Sequence, residues 1–561
     1  MLGLHWLDWL TIGVYFALTV ALGLRAARGM ASGSEYFMGG RRFGRAYMIA
    51  HALGTGTSAE QPVVVAGAAY QIGLAGIWYQ WLYLFATPFY WLLAPIYRRL
   101  RYVTMGDFFE RRYGPRMGLA YTLLGLFNFT VGIALMLKGT ALTIEAVSGG
   151  AMPYTFTVLV ITALFVSYAF AGGLVAAISN DMLQGPLIVL MSVLLLPFAI
   201  FALGGWDQVQ LRVPDGMWSL VAPTEVTLFF VVMIVINALV GIVVEPHHMA
   251  VCGAARSELA SRTGWTYGNF IKRFLTLAWA LTGVLAAALY PGLEQREHAF
   301  GVLVQDLLPA GLVGLMVACM LAAVISTCDA FMIGAGALYT RNIHPKIGGR
   351  DLGSGGQLWI GRASSLVVVG LGVVLALTLP SMIAGLKLLW TTAAAFGIAF
   401  WAAIVWRGAN AHGMAASLVA TLGTMVVTGP YGLDWDLASQ IALYLPLGLI
   451  TLVIGSLVRP TPETRERAEF YTLLSTPVGR ESELRDAGVV MIDAGDIDHP
   501  DLAGARSRGT WQGLVLTELL HPSRWSWSRY RVDLLGFGAA WLLALSVLGL
   551  GFLLAWIGRG G

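Results

Sequence analysis

Apolar stretches long enough to cross a bilayer, roughly fourteen of them and each near the ~20 residues a hydrocarbon core requires, follow one another from Leu7 to Ile557. A chain built this way has little choice of fold. In lipid every backbone N–H and C=O must be paired within its own segment, so each stretch becomes a helix and the whole an all-α polytopic membrane protein. The overall composition agrees, with 57% hydrophobic and 12% charged residues and a mean hydropathy of +0.72, which excludes a soluble globule. Cys252, Cys319 and Cys328 lie in or beside apolar runs without paired spacing and predict neither a disulfide framework nor a metal cluster. The first run, Leu7 to Leu24, lacks the basic flank and small-residue cleavage site of a signal peptide and is expected to be a retained span.

The net charge of +4 says less than where the arginines sit. Arg25, Arg28, Arg41, Arg42 and Arg45 form one basic loop, and Arg98, Arg99 and Arg101 open another. Two spans, about Ala46 to Ile72 and Leu74 to Ile96, separate them, so both loops face the same side, and the positive-inside rule makes that side cytoplasmic. Further spans are expected at Leu119 to Val147, Tyr154 to Phe170, Leu174 to Leu203, Leu228 to Val251, Phe270 to Tyr290, Leu312 to Thr340, Ile360 to Leu379, Ile383 to Val405, Met414 to Val427, Ile441 to Val458 and Leu534 to Ile557. The alternation places Arg256, Arg262, Arg341, Lys346, Arg350 and Arg407 inside, and Glu294, Glu297, Asp306, Asp434 and Asp436 outside. Both termini are then outside, in a plasma (bacterial inner) membrane. A hydrophilic segment, Arg459 to Tyr530, precedes the last span, with a helical start at Glu463 to Leu474 and interfacial tryptophans at Trp525 and Trp527. Asp493, Asp496, Asp498 and His499 within it fit no calcium-loop spacing and predict a solvated turn.

Three places break the apolar pattern. From Gly54 to Pro62 the second span carries glycines, hydroxyls, Glu60 and a proline, which release backbone carbonyls from the helix. Irregular backbone at that depth survives only where it lines a cavity or an ion site. A second break lies at Gly241 and Glu245 to His248, and two broken helices, each opening a unit of about five spans, predict an inverted repeat with its binding site at the midplane. A metal site at Glu245, His247 and His248 is disfavoured by the intervening Pro246 and the absence of helical ligand spacing, and a helix end is expected. The third place is Leu321 to Phe331. Ser326 and Asp329, three residues apart, share a helix face with Ala323, Thr327 and Ala330 beside it. Hydroxyls, carbonyls and carboxylates are ligands for hard cations, and a carboxylate in a span is functional by default. Asp181, near the start of the span from Leu174, would face Asp329 if the two helices pack together, and two carboxylates in low dielectric require a cation or proton between them.

These residues carry a resemblance. Tyr36 to Arg41, Ser58 to Gln61, Asp107 with Arg112 to Gly114, Gly172 to Leu174 with Asp181 and Gln184, Pro246 with His247, and Ala323 to Thr327 resemble, in order, the motifs of the sodium/solute symporter family, which includes bacterial proline and sugar carriers and animal sodium/glucose transporters. The resemblance covers more than half of the chain and implies a LeuT-like 5+5 inverted repeat with broken first and sixth core helices. It further implies a primary sodium ion (Na+) held by Gly54 and Thr57 at the first break and by Ala323, Ser326 and Thr327 on the later helix. A second sodium position, used by some members, maps to Asp181, Ser326, Asp329 and Ala330. Asp329 stands where relatives tend to have serine, which implies tighter sodium binding or a proton in its place.

By the same pattern the solute pocket draws on Ser58, Glu60, Gln61, Gln80, Lys138, Lys272 and Lys387. Lys272 matches a lysine that helps hold sugar in a relative, while the polar residue expected near Leu386 is missing. Lys138 and Lys387 are cations in apolar runs that a carboxylate-bearing solute would satisfy, or that snorkel to the interface. The expected organisation is an extra span and loop at 1–45, repeats at 46–204 and 205–406, two peripheral spans at 407–458, a cytoplasmic segment at 459–531 and a last span at 532–561. The expected function is sodium-coupled symport of a small organic solute (an organic anion, amino acid or sugar) by alternating access in a lipid bilayer, with no enzymatic step and no nucleic-acid partner. A proton-coupled carrier, a transporter-like sensor and a membrane-embedded enzyme are the rival readings. The enzyme would require clustered acids or a nucleophile and base at the membrane boundary, and the segment from Arg459 is short and motif-poor for a signalling output domain.

Overall fold

A computed structural model describes residues 3–27, 33–223, 225–348, 353–429, 432–492, 513–520, 523 and 525–560. Arg28, Arg350 and the turn of Asp493, Asp496, Asp498 and His499 lie outside them. The described residues form helices joined by turns, with two isolated β-bridges, Phe43 to Ala255 and Ala222 to Val226. Among them eleven helices are long and apolar enough to span a membrane, and two shorter apolar helices are Tyr154–Val166 and Leu228–Val244.

One stretch expected as a single span is assembled differently. Leu74 to Ile96 is a chain of short turns (Gly73–Ile77, Trp78–Trp81, Thr87–Phe89) leading into helix Tyr90–Leu100. Gly73 adopts φ +68° and Pro88 lacks an N–H, so a continuous ladder cannot run through them. The two spans expected at Tyr154 to Phe170 and Leu174 to Leu203 meet at a kink where Gly173 takes non-helical angles (φ 52°, ψ −164°), and the second continues through Leu195–Leu203. The stretch from Leu228 stops at Gly241, turns through Ile242–Val244 and resumes as His248–Gly253, so Glu245 to His247 form a helix break.

Helix Leu312–Asn342 lies at the centre, buried along nearly its whole length, whereas the last helix, Trp527–Gly558, is mostly exposed on its outer face. It packs against Tyr154–Val193, Gly353–Thr378, Pro115–Val147 and the first span, Trp6–Ala27. The first span also fixes its start: buried Asp8 accepts from the N–H groups of Gly311 and Gly314 at 2.7 and 2.8 Å, pairing donors that a helix start leaves open.

At the opposite end of the bundle the hydrophilic segment packs onto the core. Its helix Arg465–Ser475 begins close to the expected start and sends Phe470 against Phe108 and the Tyr471 hydroxyl to Ala403 O at 2.9 Å. Buried Arg101 donates to Glu481 at 2.9 Å and to the Pro477 carbonyl at 3.1 Å, and Arg99 donates to Glu258 and to Leu474 O. Glu481→Ala leaves the Arg101 charge buried and unpaired, a loss of about 3–5 kcal/mol. The expected result is a thermal midpoint in detergent several degrees below that of the parent, with Glu483→Ala, at an exposed position, unchanged. Equal midpoints for the two variants would remove the segment from the folded unit.

Candidate functional site

Helix Arg45–Gly56 ends where Thr57 turns extended (φ −129°, ψ 102°), and helix Glu60–Ile72 starts three residues later. The carbonyls at the break are taken up by side chains, Gly54 O also keeping the Thr57 N–H at 3.3 Å. Gly54 O accepts from Thr327 Oγ1 at 3.1 Å, and the same hydroxyl lies 3.3 Å from Ala323 O. Gly56 O accepts from Gln61 Nε2 at 3.2 Å and from Lys272 Nζ. At the second break the freed carbonyls are capped by tyrosines, Val243 O by Tyr97 at 2.6 Å and Val244 O by Tyr121 at 2.5 Å. Both breaks therefore pair backbone carbonyls within the membrane, the first against Thr327 of Leu312–Asn342 and the second with His247 packed on Phe331 of that helix.

Around Gly54 the oxygens crowd together. Ser326 Oγ donates to Asp181 Oδ1 at 2.5 Å, and the other Asp181 oxygen shares a 2.6 Å hydrogen bond with His51 Nδ1. A Cβ on Gly54 would stand 2.5 Å from Ser326 Oγ and 2.6 Å from Asp181 Oδ1, so close approach alone requires glycine here. Thr57 Oγ1 and Asp329 Oδ1 are buried without a hydrogen-bond partner, and Ala330 is buried on the same helix. Hard-cation donors thus gather at the buried first break, where Thr57 Oγ1 is unspent, and Asp329 Oδ1 is unspent on the adjoining helix.

Next to this cluster is a polar cavity. Ser58, Glu60, Gln61, Gln80 and Lys272 all line it, and Thr327 joins it to the oxygen cluster. Lys138 and Lys387 do not: Lys138 Nζ sits 5.3 Å from the centre of the Tyr154 ring, and Lys387 is exposed on the outer face of its helix. Leu386 lines the wall as an apolar residue, with Trp390 and Phe331. Ser58 donates to Glu60 Oε1 at 2.5 Å, while Glu60 Oε2, Gln61 Oε1 and Gln80 Oε1 are buried acceptors without partners. Lys272 and Glu60 are close enough for each to act on the other's charge.

Several wall residues carry no motif of their own. Arg273 holds the irregular segment in place through Thr87 Oγ1 and Gln80 O, at 3.2 and 3.1 Å. Glu245, His247 and His248 belong to the wall because the second break faces it. His51, whose Nε2 is buried and unpaired, is the residue the sequence reading passes over. The rule that singles out Asp329, an ionisable side chain inside a span, singles out His51 equally.

Comparison with known proteins decides the class. Residues 36–421 match the description of the Sodium:solute symporter family. The chain belongs to that family. As a sodium:solute symporter it couples sodium to the movement of a small organic solute across the membrane, by alternating access. It is similar to the sodium/pantothenate symporter of Haemophilus influenzae, 26% identical over 446 residues that cover 75% of this chain and 90% of the relative. Similarity to a sodium/proline symporter of Staphylococcus aureus is also 26%, over 453 residues, covering 75% and 85%. Among solved structures, a sodium-coupled sialic acid symporter in a substrate-bound outward-open state superimposes with a TM-score of 0.71 at 18% identity, over 82% of this chain and 99% of the other. A nucleobase-cation-symport-1 family transporter gives a TM-score of 0.53 at 12% identity, over 78% and 98%. The symporter's fold is accordingly the LeuT-like one, with its first and sixth core helices broken at Thr57 and Glu245.

Proposed function

We propose that this symporter carries a small hydroxylated or amide-bearing carboxylate, with sodium bound between Gly54 and Thr57 of the broken helix and Ala323, Ser326 and Thr327 of the central one. The observation that carries the sodium assignment is the Thr327 hydroxyl lying 3.1 Å from the Gly54 carbonyl at the helix break and 3.3 Å from that of Ala323. Asp181, Ser326, Asp329 and Ala330 make a second position for sodium beside it. The solute class rests on the chemistry of the wall. Three unpartnered acceptors, Glu60 Oε2, Gln61 Oε1 and Gln80 Oε1, call for hydroxyl or amide N–H donors. Lys272 supplies the cation for a carboxylate, and the sodium/pantothenate relatives fit this reading. Sodium binding at the break favours the state that accepts solute, so each ligand raises the other's affinity by the same factor.

Ser58, Glu60, Gln61, Gln80 and Lys272 contact the solute in this reading, whereas Lys138 and Lys387 act at the membrane surface. The two repeats run over 46–204 and 205–406, since each opens on a broken helix. The arginine-rich ends face the cytoplasm of a bacterial inner membrane and both termini face out.

Uptake into proteoliposomes tests the sodium assignment. Thr327→Ala and Ser326→Ala each remove a ligand hydroxyl, and half-maximal activation is expected to need about tenfold more sodium, as loss of ~1.5 kcal/mol at a charged group requires. Maximal uptake at saturating sodium should change far less. Unchanged sodium activation in both variants, or uptake driven equally by a proton gradient without sodium, would sink the assignment.

A further inference from the structure

A second polar cavity, of about 220 Å³, lies far from the solute site, at the end of the bundle where the arginine-bearing loops gather. Arg99, Arg262, Arg529 and Arg531 line it, with Asp533 the acidic residue among them. Three of the guanidiniums have carboxylate partners. Arg99 pairs with Glu258 at 2.9 Å, Arg262 with Asp533 at 2.5 Å and Arg529 with Glu518 at 2.5 Å. Arg531 is exposed and has no ion-pair partner among the described residues. Buried Arg262 keeps an Nε without a hydrogen-bond partner. Among the described residues, four guanidiniums thus stand with three carboxylates at the cleft, and Arg262 keeps an unspent donor.

Its depth in the membrane follows from what surrounds it. Trp525 and Trp527, both exposed, stand at the start of the last helix, where indole rings settle at the level of lipid headgroups. Arg531 is one helical turn beyond Trp527. From there the same helix presents Leu535, Leu542 and Leu545 outward, a surface suited to acyl chains. A cleft of arginines at headgroup depth, opening beside a lipid-facing helix, matches the planar forks that bind phosphate oxygens in pairs.

We propose that this cavity binds the phosphate of an anionic phospholipid from the adjoining leaflet, with the acyl chains lying along the last helix. A zwitterionic lipid brings its own cation into the arginine cluster and is disfavoured. Arg99 and Glu258 also hold the hydrophilic segment, through Leu474 O at 3.2 Å and the Val478 N–H at 3.0 Å, so the bound headgroup braces the joint between that segment, helix Glu258–Leu289 and the last helix.

Native mass spectrometry of the delipidated full-length protein tests this, with phosphatidylglycerol, phosphatidylcholine and inorganic phosphate offered separately. Phosphatidylglycerol is expected to be retained about tenfold more tightly than phosphatidylcholine, and inorganic phosphate not at all at matched concentration. Arg531→Gln, at an exposed position on which no packing depends, should weaken phosphatidylglycerol about tenfold, and Arg531→Lys, which keeps the charge without the fork, by less. As a second measurement on the unaltered protein, phosphatidylglycerol should raise the thermal midpoint where phosphatidylcholine does not. Equal retention of the two lipids, undiminished binding by Arg531→Gln, or inorganic phosphate bound as tightly as the lipid would each overturn the proposal.

Discussion

Replacing Gly54 by alanine is expected to weaken the sodium dependence of uptake severely while leaving a folded, membrane-inserted protein. One methyl group is added, but it falls at 2.5 Å from Ser326 Oγ and 2.6 Å from Asp181 Oδ1, separations that real Cβ atoms do not tolerate. Either the helix bearing Ser326 backs away from the break or the Ser326 to Asp181 hydrogen bond opens, and both pull apart the oxygens proposed to hold the ion. Overpacking of this kind costs about 1–3 kcal/mol in a well-filled interior. With these oxygens as the ion's ligands, that strain opposes sodium binding, and sodium affinity should fall by roughly five- to 150-fold. Gly56→Ala supplies the contrast. Its Cβ would meet only Asn269 Oδ1 at 3.3 Å, so a small shift accommodates it and sodium activation should stay within about threefold of the parent. Sodium titrations of uptake by both variants check the pair. A Gly54→Ala protein with the parent's sodium dependence would mean that the crowded oxygens are not the ion's ligands.

Lys272→Met is expected to reduce solute uptake by two to three orders of magnitude, and Glu60→Gln made in the same protein should recover part of the loss. Both side chains are buried in the cavity wall, Glu60 at 5% exposure and Lys272 at 6%. Lys272 also caps the Gly56 carbonyl freed by the helix break. Removing the ammonium leaves the Gly56 carbonyl to Gln61 Nε2 and the Glu60 carboxylate to the Ser58 hydroxyl, no longer offset by the Lys272 charge, and a buried charge deprived of its counter-charge costs about 3–5 kcal/mol. Neutralising Glu60 removes the charge left behind, hence the partial rescue. If Lys272 served only to pair Glu60, the double variant would take up solute as the parent does. If it also holds the solute carboxylate, the double variant stays defective, mainly through a higher KM. A full recovery in the double variant would therefore sink the carboxylate reading while leaving the sodium site untouched.

Much of this architecture is legible in the chain. Length and apolarity decide that the segments are helices, because lipid offers unpaired backbone no alternative. Glycine and proline in the Gly54 to Pro62 run forecast the first break, and Pro246 the second. The common helix face of Ala323, Ser326 and Thr327 follows from the 3.6-residue period. The segment Leu74 to Ile96 is a different case: its hydropathy is that of a single span, yet Gly73 at φ +68° and the short turns that follow divide it. Hydropathy averages over a window and does not register one backbone angle.

What the sequence determined alone is each element's own geometry: where the chain turns apolar, where it breaks, and which residues share a face. What only the tertiary structure decided is which faces meet. Nothing in the spacing of His51, Asp181 and Ser326, which lie 130 and 145 residues apart, says that they share one hydrogen-bonded cluster, or that Lys272 ends at the Gly56 carbonyl while Lys138 and Lys387 turn away. The three lysines look alike as cations in apolar runs. Helix packing sets their fates, since it gives Lys272 the Gly56 carbonyl to bond, Lys138 an aromatic ring and Lys387 an open exit to the surface.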